Sequence, residues 1–326
     1  MTADVLCLRP EADFQRVGVV PSPSLKIAYR APEDPDVPAL MKQAQALVIP
    51  AVGPKLSGDS FVDTTVRLIQ VTGAGVDRLD LLLLKGLGIS VANVPGGSNN
   101  ALAEYVVATA SVLLRRFLWA DAEIRAGHYA EFRARMISDN LAGLDGLTAG
   151  IVGLGTIGLA VAEAFHHRGC RIYYFDPAPR DPSAAVALGA KSVSLDELLK
   201  ISDVITLHVP LRSTTKGLIG EPQLAAMKAG AILIQASRGG IVDEAALVHS
   251  LTSGHLGGSA VDVYSIEPPA PDHPLLALRG EAARRILFTP HIAGATRQSS
   301  EFLFRSAWRN VERVLLQKEA PLYLVQ

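Results

Sequence analysis

Short apolar runs alternate with amphipathic segments along most of the chain and predict a succession of strands and helices. In the middle of the chain these runs are four to six residues long, and they lie at residues 149–152, 171–175, 204–208, 231–235, 258–263 and 285–289. Several are rich in β-branched side chains, and strands that are apolar on both faces are typical of a parallel sheet covered by helices on each side. The pattern therefore predicts a doubly wound α/β domain.

The first hundred residues carry a weaker form of the same pattern. Candidate strands lie at residues 5–8, 46–49, 68–71 and 89–92, with proline-rich loops and a leucine-rich helical stretch at 79–87 between them. We therefore expect a second, smaller α/β unit. From residue 100 to about residue 128 the periodicity predicts one long helix. It is too apolar for a surface helix, so we expect it to cross between domains and pack against another subunit.

Composition narrows the possible functions. A chain of 326 residues is long enough for two domains, and 49% hydrophobic with 19% charged residues indicates an ordinary globular protein. The formal net charge of −1 gives no electrostatic reason to expect nucleic acid or an anionic membrane as a partner. The longest uncharged apolar run, residues 105–114, is too short to cross a bilayer.

The cysteines and the N-terminus bear on metal binding and cellular location. Cys7 and Cys170 match no metal-ligand or redox spacing, so we expect reduced thiols and no metal site. No basic segment precedes the first apolar residues, which predicts no secretory signal and a cytoplasmic protein.

A glycine-rich turn stands between a predicted strand and a predicted helix. Gly153, Gly155 and Gly158 fit the G-x-G-x-x-G spacing, and Asp176 ends the next strand eighteen residues later. Such glycines let the backbone approach a pyrophosphate, the helix N-terminus offers free N–H groups, and the acid accepts a hydrogen bond from a ribose 2′-hydroxyl. We therefore predict an NAD site rather than a turn that binds nothing. A carboxylate at this position would repel the 2′-phosphate of NADP, although the nearby Arg180 weakens the preference.

Three polar segments follow later strands, at the sheet edge where open α/β sheets bind ligands. They contain Arg238, Glu267 and His291. Reduction of a 2-keto acid needs a cation to hold the carboxylate, which suits Arg, and a proton donor near neutral pH, which suits His. A carboxylate beside the imidazole favours its charged form. Each residue alone is typical of a loop or surface, but together they predict the catalytic set of a 2-keto acid/2-hydroxy acid dehydrogenase.

With these residues the sequence resembles the D-isomer-specific 2-hydroxyacid dehydrogenases, which include D-lactate, D-glycerate and 3-phosphoglycerate dehydrogenases. The resemblance extends over most of the chain, through GAGVD (73–77), NVP (93–95), NALAE (100–104), HVPL (208–211), TTKGLI (214–219) and HIAGAT (291–296). It implies two doubly wound parallel-sheet α/β domains and a homodimer formed through the inserted long helix. A Rossmann NAD-binding domain, residues 99–293, would be inserted into a discontinuous flavodoxin-like substrate domain, residues 1–98 and 294–326.

The resemblance also implies roles for individual residues. The cofactor-binding set would comprise Gly153, Gly155, Thr156, Ile157, Gly158, Asp176, Pro210, Thr215, Ala236, Arg238, Asp262 and His291. The substrate would be bound by Arg238 and His291 together with the backbone amides of Ala74 and Gly75. Catalysis would fall to Arg238, Glu267 and His291.

Substrate identity depends on the loop at residues 49–56, which the resemblance places at the substrate. Relatives that act on phosphoglycerate carry Arg or Ser/Thr there, whereas this loop is mostly apolar with a single cation, Lys55. We therefore expect glyoxylate, hydroxypyruvate or a compact apolar keto acid, with 3-phosphoglycerate as an alternative. The contribution of Lys55, and of Trp308 near the tail, stays open. An alternative of another class is an NAD(H)-sensing protein of the co-repressor type, because such relatives keep the same triad.

Overall fold

The chain divides into two units along its sequence. The computed structural model describes residues 3–178 and 183–325. One unit comprises Met1–Ser98 and Ala295–Gln326, and the other comprises Asn99–Gly294. The second unit is thus inserted into the first along the sequence.

Twelve strands and thirteen α-helices are formed within the described residues. The strands are β1 Val5–Cys7, β2 Ile27–Tyr29, β3 Ala46–Ile49, β4 Leu68–Val71, β5 Ser90–Ala92, β6 Thr148–Val152, β7 Arg171–Phe175, β8 Lys191–Ser192, β9 Val204–Leu207, β10 Ile232–Gln235, β11 Gly258–Val261 and β12 Ile286–Phe288. The helices are α1 Glu11–Gln15, α2 Val37–Met41, α3 Leu81–Gly86, α4 Asn99–Leu114, α5 Phe117–Arg125, α6 Tyr129–Ser138, α7 Thr156–His166, α8 Ser183–Ala187, α9 Leu195–Ile201, α10 Glu221–Ala226, α11 Glu244–Thr252, α12 Gly280–Arg284 and α13 Arg297–Leu315. A short 3-10 helix spans Gly58–Phe61.

The first unit is built on a five-stranded parallel sheet with strand order β2-β1-β3-β4-β5. This is the flavodoxin-like order, in which the direction of strand addition reverses between β1 and β3. Helix α13 covers one face of the sheet, where Trp308 is buried with its ring centroid 5.4 Å from that of Phe14. Trp308 is therefore a core residue of this unit.

The second unit carries a seven-stranded parallel sheet with strand order β12-β11-β10-β9-β6-β7-β8. Numbered within the unit, this is the Rossmann order 3-2-1-4-5-6 extended by one strand, and its reversal lies between β6 and β9. The strands β9 and β10 are buried along their whole length, as expected for a sheet covered on both faces. The predicted class of two doubly wound α/β domains is confirmed.

One predicted element is wrong. The expected single helix from residue 100 to residue 128 is two helices, because α4 ends at Leu114 and Arg116 takes a left-handed conformation with φ 51°. The change of direction lets Trp119 of α5 become buried beneath the Arg116 guanidinium, which lies 5.4 Å from the ring centroid. Arg116 also pairs with Asp139. Within the described residues, we find no helix both long and apolar enough to cross a membrane.

Candidate active site

The glycine-rich turn joins β6 to α7 at the reversal point of the second sheet. Gly153 has φ +94°, and a Cβ on it would lie 2.7 Å from the carbonyl oxygen of His208, which follows β9. A Cβ on Gly158 would lie 1.9 Å from the carbonyl oxygen of Gly153. Both positions therefore exclude a side chain, and the turn can present bare backbone at the N-terminus of α7.

Asp176 stands directly after β7 and interacts with this turn. Its Oδ2 accepts a hydrogen bond from the amide of Leu154 at 2.8 Å, and its Oδ1 accepts one from the amide of Ala178 at 2.9 Å. The carboxylate thus stabilises the glycine-rich turn in addition to any contact with a ribose. Arg180, expected to modify the cofactor preference, lies outside the described residues.

The remaining predicted cofactor residues lie at the same edge of the sheet. Thr156 and Ile157 form the first turn of α7, and Ala236 directly follows β10 and is buried. The hydroxyl of Thr215 donates to the carbonyl of Pro210 at 2.6 Å and accepts from the amide of Arg212 at 2.8 Å. Thr215 therefore stabilises the loop that carries Pro210.

Taken together, this edge fits a dinucleotide. Gly153 and Gly158 leave no room for a Cβ, helix α7 begins directly at this turn, and the acid Asp176 follows the neighbouring strand. Residues of the glycine-rich turn could hold the pyrophosphate and Asp176 the ribose of NAD.

Arg238 is carried by a loop that a buried glutamine stabilises. Gln235, the last residue of β10, donates from Nε2 to the Arg238 carbonyl at 2.8 Å and accepts from the Ser237 hydroxyl at 2.8 Å. The next residue, Gly239, packs against the loop after β11, because a Cβ there would lie only 1.8 Å from the carbonyl oxygen of Tyr264. The loops after β10 and β11 are therefore in direct backbone contact.

His291 and Glu267 form a hydrogen-bonded pair. His291 Nδ1 lies 2.8 Å from Glu267 Oε2, and Glu267 Oε1 accepts from the amide of Tyr264 at 3.1 Å. Both side chains are about one quarter exposed, at 25% for His291 and 27% for Glu267, so solutes can reach the pair. Because Nδ1 faces the carboxylate, Nε2 is the ring nitrogen available for proton exchange.

Asp262 holds the turn that carries His291. Its buried carboxylate accepts from the Thr289 hydroxyl at 2.6 Å, the Ile292 amide at 2.8 Å and the Ala293 amide at 2.9 Å. His291 itself has φ +54° and donates its amide to the Asp262 carbonyl at 2.8 Å. A left-handed histidine is uncommon, and the surrounding bonds maintain it. The prediction that Asp262 contacts the cofactor stays a prediction, whereas its support of the turn was missed.

Sequence reasoning also missed Tyr264, which connects all three catalytic loops. Its backbone contacts Gly239 and Glu267, and its hydroxyl donates to the Thr289 carbonyl at 3.1 Å. The side chain of Tyr264 is buried. The position of Tyr264, two residues after Asp262 and just beyond β11, could have indicated a role in the site. Its partners are backbone groups, however, and these cannot be predicted from residue types.

The predicted substrate residues of the first unit lie in the turn after β4. Ala74 is exposed, and its carbonyl accepts from the Asn93 side chain at 2.7 Å. Gly75 is partly exposed in the same turn. Lys55 is exposed in the loop after β3. A role for Ala74 and Gly75 in carboxylate binding stays a prediction.

Comparisons with known proteins agree with this description. A family model described as the NAD-binding domain of D-isomer specific 2-hydroxyacid dehydrogenases matches residues 107–293, more than half of the chain. A glyoxylate reductase from Aeropyrum pernix is 37% identical over 236 residues, which cover 72% of this chain and 69% of that protein. A solved glyoxylate reductase from Paecilomyes thermophila superposes with a TM-score of 0.81 and 26% identity, covering 100% of this chain and 99% of the other.

A D-3-phosphoglycerate dehydrogenase from Archaeoglobus fulgidus is also similar, at 39% identity over 234 residues. That match covers 72% of this chain but 42% of the other protein, so the chain aligns with less than half of that relative. The region matched by the family model lies inside the second unit, which is therefore an NAD-binding domain.

Proposed function

Because the chain belongs to the family of D-isomer-specific 2-hydroxyacid dehydrogenases, we propose that it transfers a hydride between NAD and a small 2-keto acid/2-hydroxy acid pair. The observation that carries this proposal is the His291–Glu267 pair beside the loop of Arg238. On this proposal Asn99–Gly294 is the NAD-binding domain and the discontinuous unit is the substrate domain.

The residues divide the reaction between them. The bound nicotinamide supplies the hydride. In the reductive direction Arg238 holds the substrate carboxylate, while Nε2 of His291 gives its proton to the keto oxygen and yields the 2-hydroxy acid. Glu267 orients the ring through Nδ1 and stabilises the positive charge on the imidazole before transfer. In the oxidative direction His291 takes the hydroxyl proton as a base.

Glyoxylate and hydroxypyruvate are the favoured substrates. The loop at residues 49–56 contains one cation, Lys55, and otherwise apolar or small side chains, which suits a compact monoanion better than a phosphate ester. Relatives named glyoxylate reductase and glycerate dehydrogenase support this choice. Relatives named D-3-phosphoglycerate dehydrogenase keep 3-phosphoglycerate as the second candidate.

A panel of keto acids tests the proposal through NADH consumption. It comprises glyoxylate, hydroxypyruvate, phosphohydroxypyruvate, pyruvate, phenylpyruvate, 2-oxoglutarate and oxaloacetate, each repeated with NADPH. We expect the highest kcat/KM for glyoxylate or hydroxypyruvate with NADH. A preference for phosphohydroxypyruvate would select the second candidate. NADH binding without turnover of any acid would refute the enzymatic proposal and support an NAD(H) sensor.

Two histidine variants, one of them a control, test whether His291 is the proton donor. His291→Ala should lower kcat by about 10²–10⁴-fold, the usual contribution of a general acid. NADH affinity should change little. The exposed His249 of α11 provides the matched control, and His249→Ala should retain normal turnover. Equal turnover in both variants would remove His291 from the mechanism.

We also propose that the protein is a homodimer. Support comes from the exposed apolar side chains of α5 and α6, which are Phe117, Leu118, Ile124, Tyr129 and Ile137. An adjoining groove between α4 and α7 exposes further small and apolar side chains, including Val107 and Ala160. Light scattering after gel filtration should give twice the chain mass, and a monomeric mass would contradict the proposal.

A cytoplasmic location is proposed as well, supported by two free cysteines that are buried. Burial raises the pKa of Cys7 to about 12 and that of Cys170 to about 11, so both thiols stay protonated and unreactive. Fractionation of cells should recover the protein with cytosolic markers, and recovery outside the cytosol would contradict the location.

A further inference from the structure

Arg78 of the first unit is an arginine in a buried position. Its residue is only 5% exposed, although arginine is among the residues least often buried. The guanidinium is enclosed by the loop after β3, residues 50–56. Nε donates to the Pro54 carbonyl at 2.8 Å, and Nη1 donates to the carbonyls of Pro50 at 2.8 Å and Val52 at 3.1 Å. Alternate carbonyls of one loop thus converge on one cation.

The loop is shaped to admit the guanidinium. Gly53 has φ +133°, and a Cβ there would lie 3.0 Å from Cζ of Arg78. The backbone adds a further contact, because the Leu56 amide donates to the Arg78 carbonyl at 3.0 Å. Removal of Arg78 would leave the carbonyls of residues 50, 52 and 54 without these donors, so the loop conformation depends on this side chain.

The position of the loop links it to ligand binding. In a sheet of order β2-β1-β3-β4-β5, ligands bind at the carboxyl ends of the strands beside the reversal between β1 and β3. The loop of residues 50–56 follows β3 at that edge. The turn that contains Ala74 lies beside it, since a Cβ on Gly73 would be 2.8 Å from Cβ of Ala51. Arg78 therefore stabilises the loop that borders this edge.

Among the described residues, the hydrogen-bond partners of the Arg78 guanidinium are backbone carbonyls. Within residues 3–178 and 183–325 no carboxylate forms an ion pair with it. Burial lowers the pKa of Arg78, but a guanidinium stays protonated at neutral pH. A buried positive charge without a counter-ion attracts anions more strongly than an exposed one, because solvent screens it less.

We propose that Arg78 is a positioning residue that sets the affinity of this protein for anionic substrates. It fixes the loop of residues 50–56 and provides a buried positive charge beneath it, without touching the substrate. The inference rests on the proposed 2-keto acid dehydrogenase function and adds a determinant of its substrate class.

Steady-state kinetics of Arg78→Met and Arg78→Lys test the proposal. Arg78→Met should raise KM for the preferred keto acid by at least about tenfold, the effect of losing hydrogen bonds to a charged group. Its kcat should stay within about threefold of wild type. The substitution weakens binding of the substrate and of the transition state equally, so the barrier between them is unchanged. Arg78→Lys keeps the charge with fewer donors and should show a smaller rise. NADH affinity should be unchanged in both.

A comparison of charged and uncharged substrates tests the electrostatic effect of Arg78 separately. The uncharged amide of the same keto acid should lose little kcat/KM in Arg78→Met, whereas the acid should lose much more. A loss that is equal for acid and amide would overturn the electrostatic role. The exposed Arg67 of the same unit supplies the matched control, and Arg67→Met should leave KM unchanged.

The effect of Arg78 on the conformation of the loop of residues 50–56 can be measured without an activity assay. Trypsin should cut after the exposed Lys55 faster in Arg78→Met than in wild type, as followed by mass spectrometry. Wild-type turnover with unchanged KM in Arg78→Met would refute the inference and leave the proposed function intact. Absence of turnover in the wild-type protein would refute the proposed function. In that case, cleavage after Lys55 at the same rate in Arg78→Met and wild type would also refute the role of Arg78 in fixing the loop. If Arg78→Met does not fold, Gly53→Ala, which crowds the guanidinium, should raise KM in the same direction, and an unchanged KM would refute the proposal.

Discussion

Replacement of Gly239 by alanine tests whether catalysis depends on the contact between the loops after β10 and β11. The added Cβ would stand 1.8 Å from the Tyr264 carbonyl oxygen, and ordinary contact begins at 3.4 Å. The difference, 3.4 − 1.8, means that the loops must separate by about 1.6 Å. The atoms in conflict are backbone, so no side-chain rotation relieves it. Because Arg238 lies on one loop and Glu267 on the other, this separation displaces the guanidinium from the His291–Glu267 pair.

Misplacement of a catalytic group by about 1 Å costs on the order of 10²-fold in rate. We therefore expect Gly239→Ala to lower kcat/KM about 100-fold, with a loss of about 1–3 kcal/mol in the free energy of unfolding from overpacking. NADH fluorescence titration should show a smaller loss than kcat/KM, because the glycine-rich turn lies elsewhere on the sheet edge, although Ala236 and Arg238 of the predicted cofactor set are on the displaced loop.

Gly220→Ala is the matched control, since its Cβ would meet its nearest neighbour at 3.5 Å in ordinary contact. It should retain kcat/KM within about threefold, because its Cβ displaces no neighbouring backbone. A Gly239→Ala protein that binds NADH and turns over like this control would refute the reasoning, because the two loops would then be shown to adapt independently.

Three further predictions concern the same unit. Glu267→Gln keeps the shape but removes the charge beside His291, and it should lower kcat by about 10–100-fold while leaving NADH affinity intact; unchanged kcat would contradict the role of the carboxylate. Asp176→Ala should weaken binding of NAD more than NADP in parallel titrations, and it should lower the melting temperature because the Leu154 amide loses its acceptor; equal losses for both cofactors would separate Asp176 from the ribose. Burial lowers the pKa of His208 to about 3, so below its unfolded pKa of about 6.5 the unfolded chain binds a proton that the folded chain excludes. Stability should therefore fall as pH falls from about 6.5 towards 3, and His208→Gln should reduce that slope in urea unfolding measured across this range; identical slopes would contradict the assignment.

Continuous apolar strands were the most predictable part of the fold. The bounds of β3 and β4 coincide with their predicted runs, because polar or loop-forming residues flank them directly. The edge strand β2 is three partly buried residues, and β8 is two exposed ones, so neither leaves a hydrophobic pattern. Periodicity also failed at Arg116, since a local pattern carries no information on the tertiary contact that buries Trp119.

The candidate site was predictable where strand ends converge. Parallel strands bring their carboxyl ends to one edge, so Arg238, Glu267 and His291 could be grouped from sequence alone. The supporting residues could not, because Gln235 and Tyr264 act through backbone groups whose partners depend on the folded path of the loops. Arg78 was hidden for a different reason: it stands between two aspartates, a context typical of a solvated arginine.

On the prediction that Asp176 binds the ribose of NAD, its hydrogen bond with Leu154 constrains how cofactor preference can evolve in this protein. A lineage that moves towards NADP must lose the negative charge at position 176, yet the glycine-rich turn needs an acceptor there. Asn or Ser is uncharged and still offers an oxygen to the Leu154 amide. Ala or Gly also removes the repulsion of the 2′-phosphate, but it leaves the Leu154 amide without its acceptor and so destabilises the turn. On that prediction, the accessible route to a new cofactor passes through polar, uncharged residues at position 176.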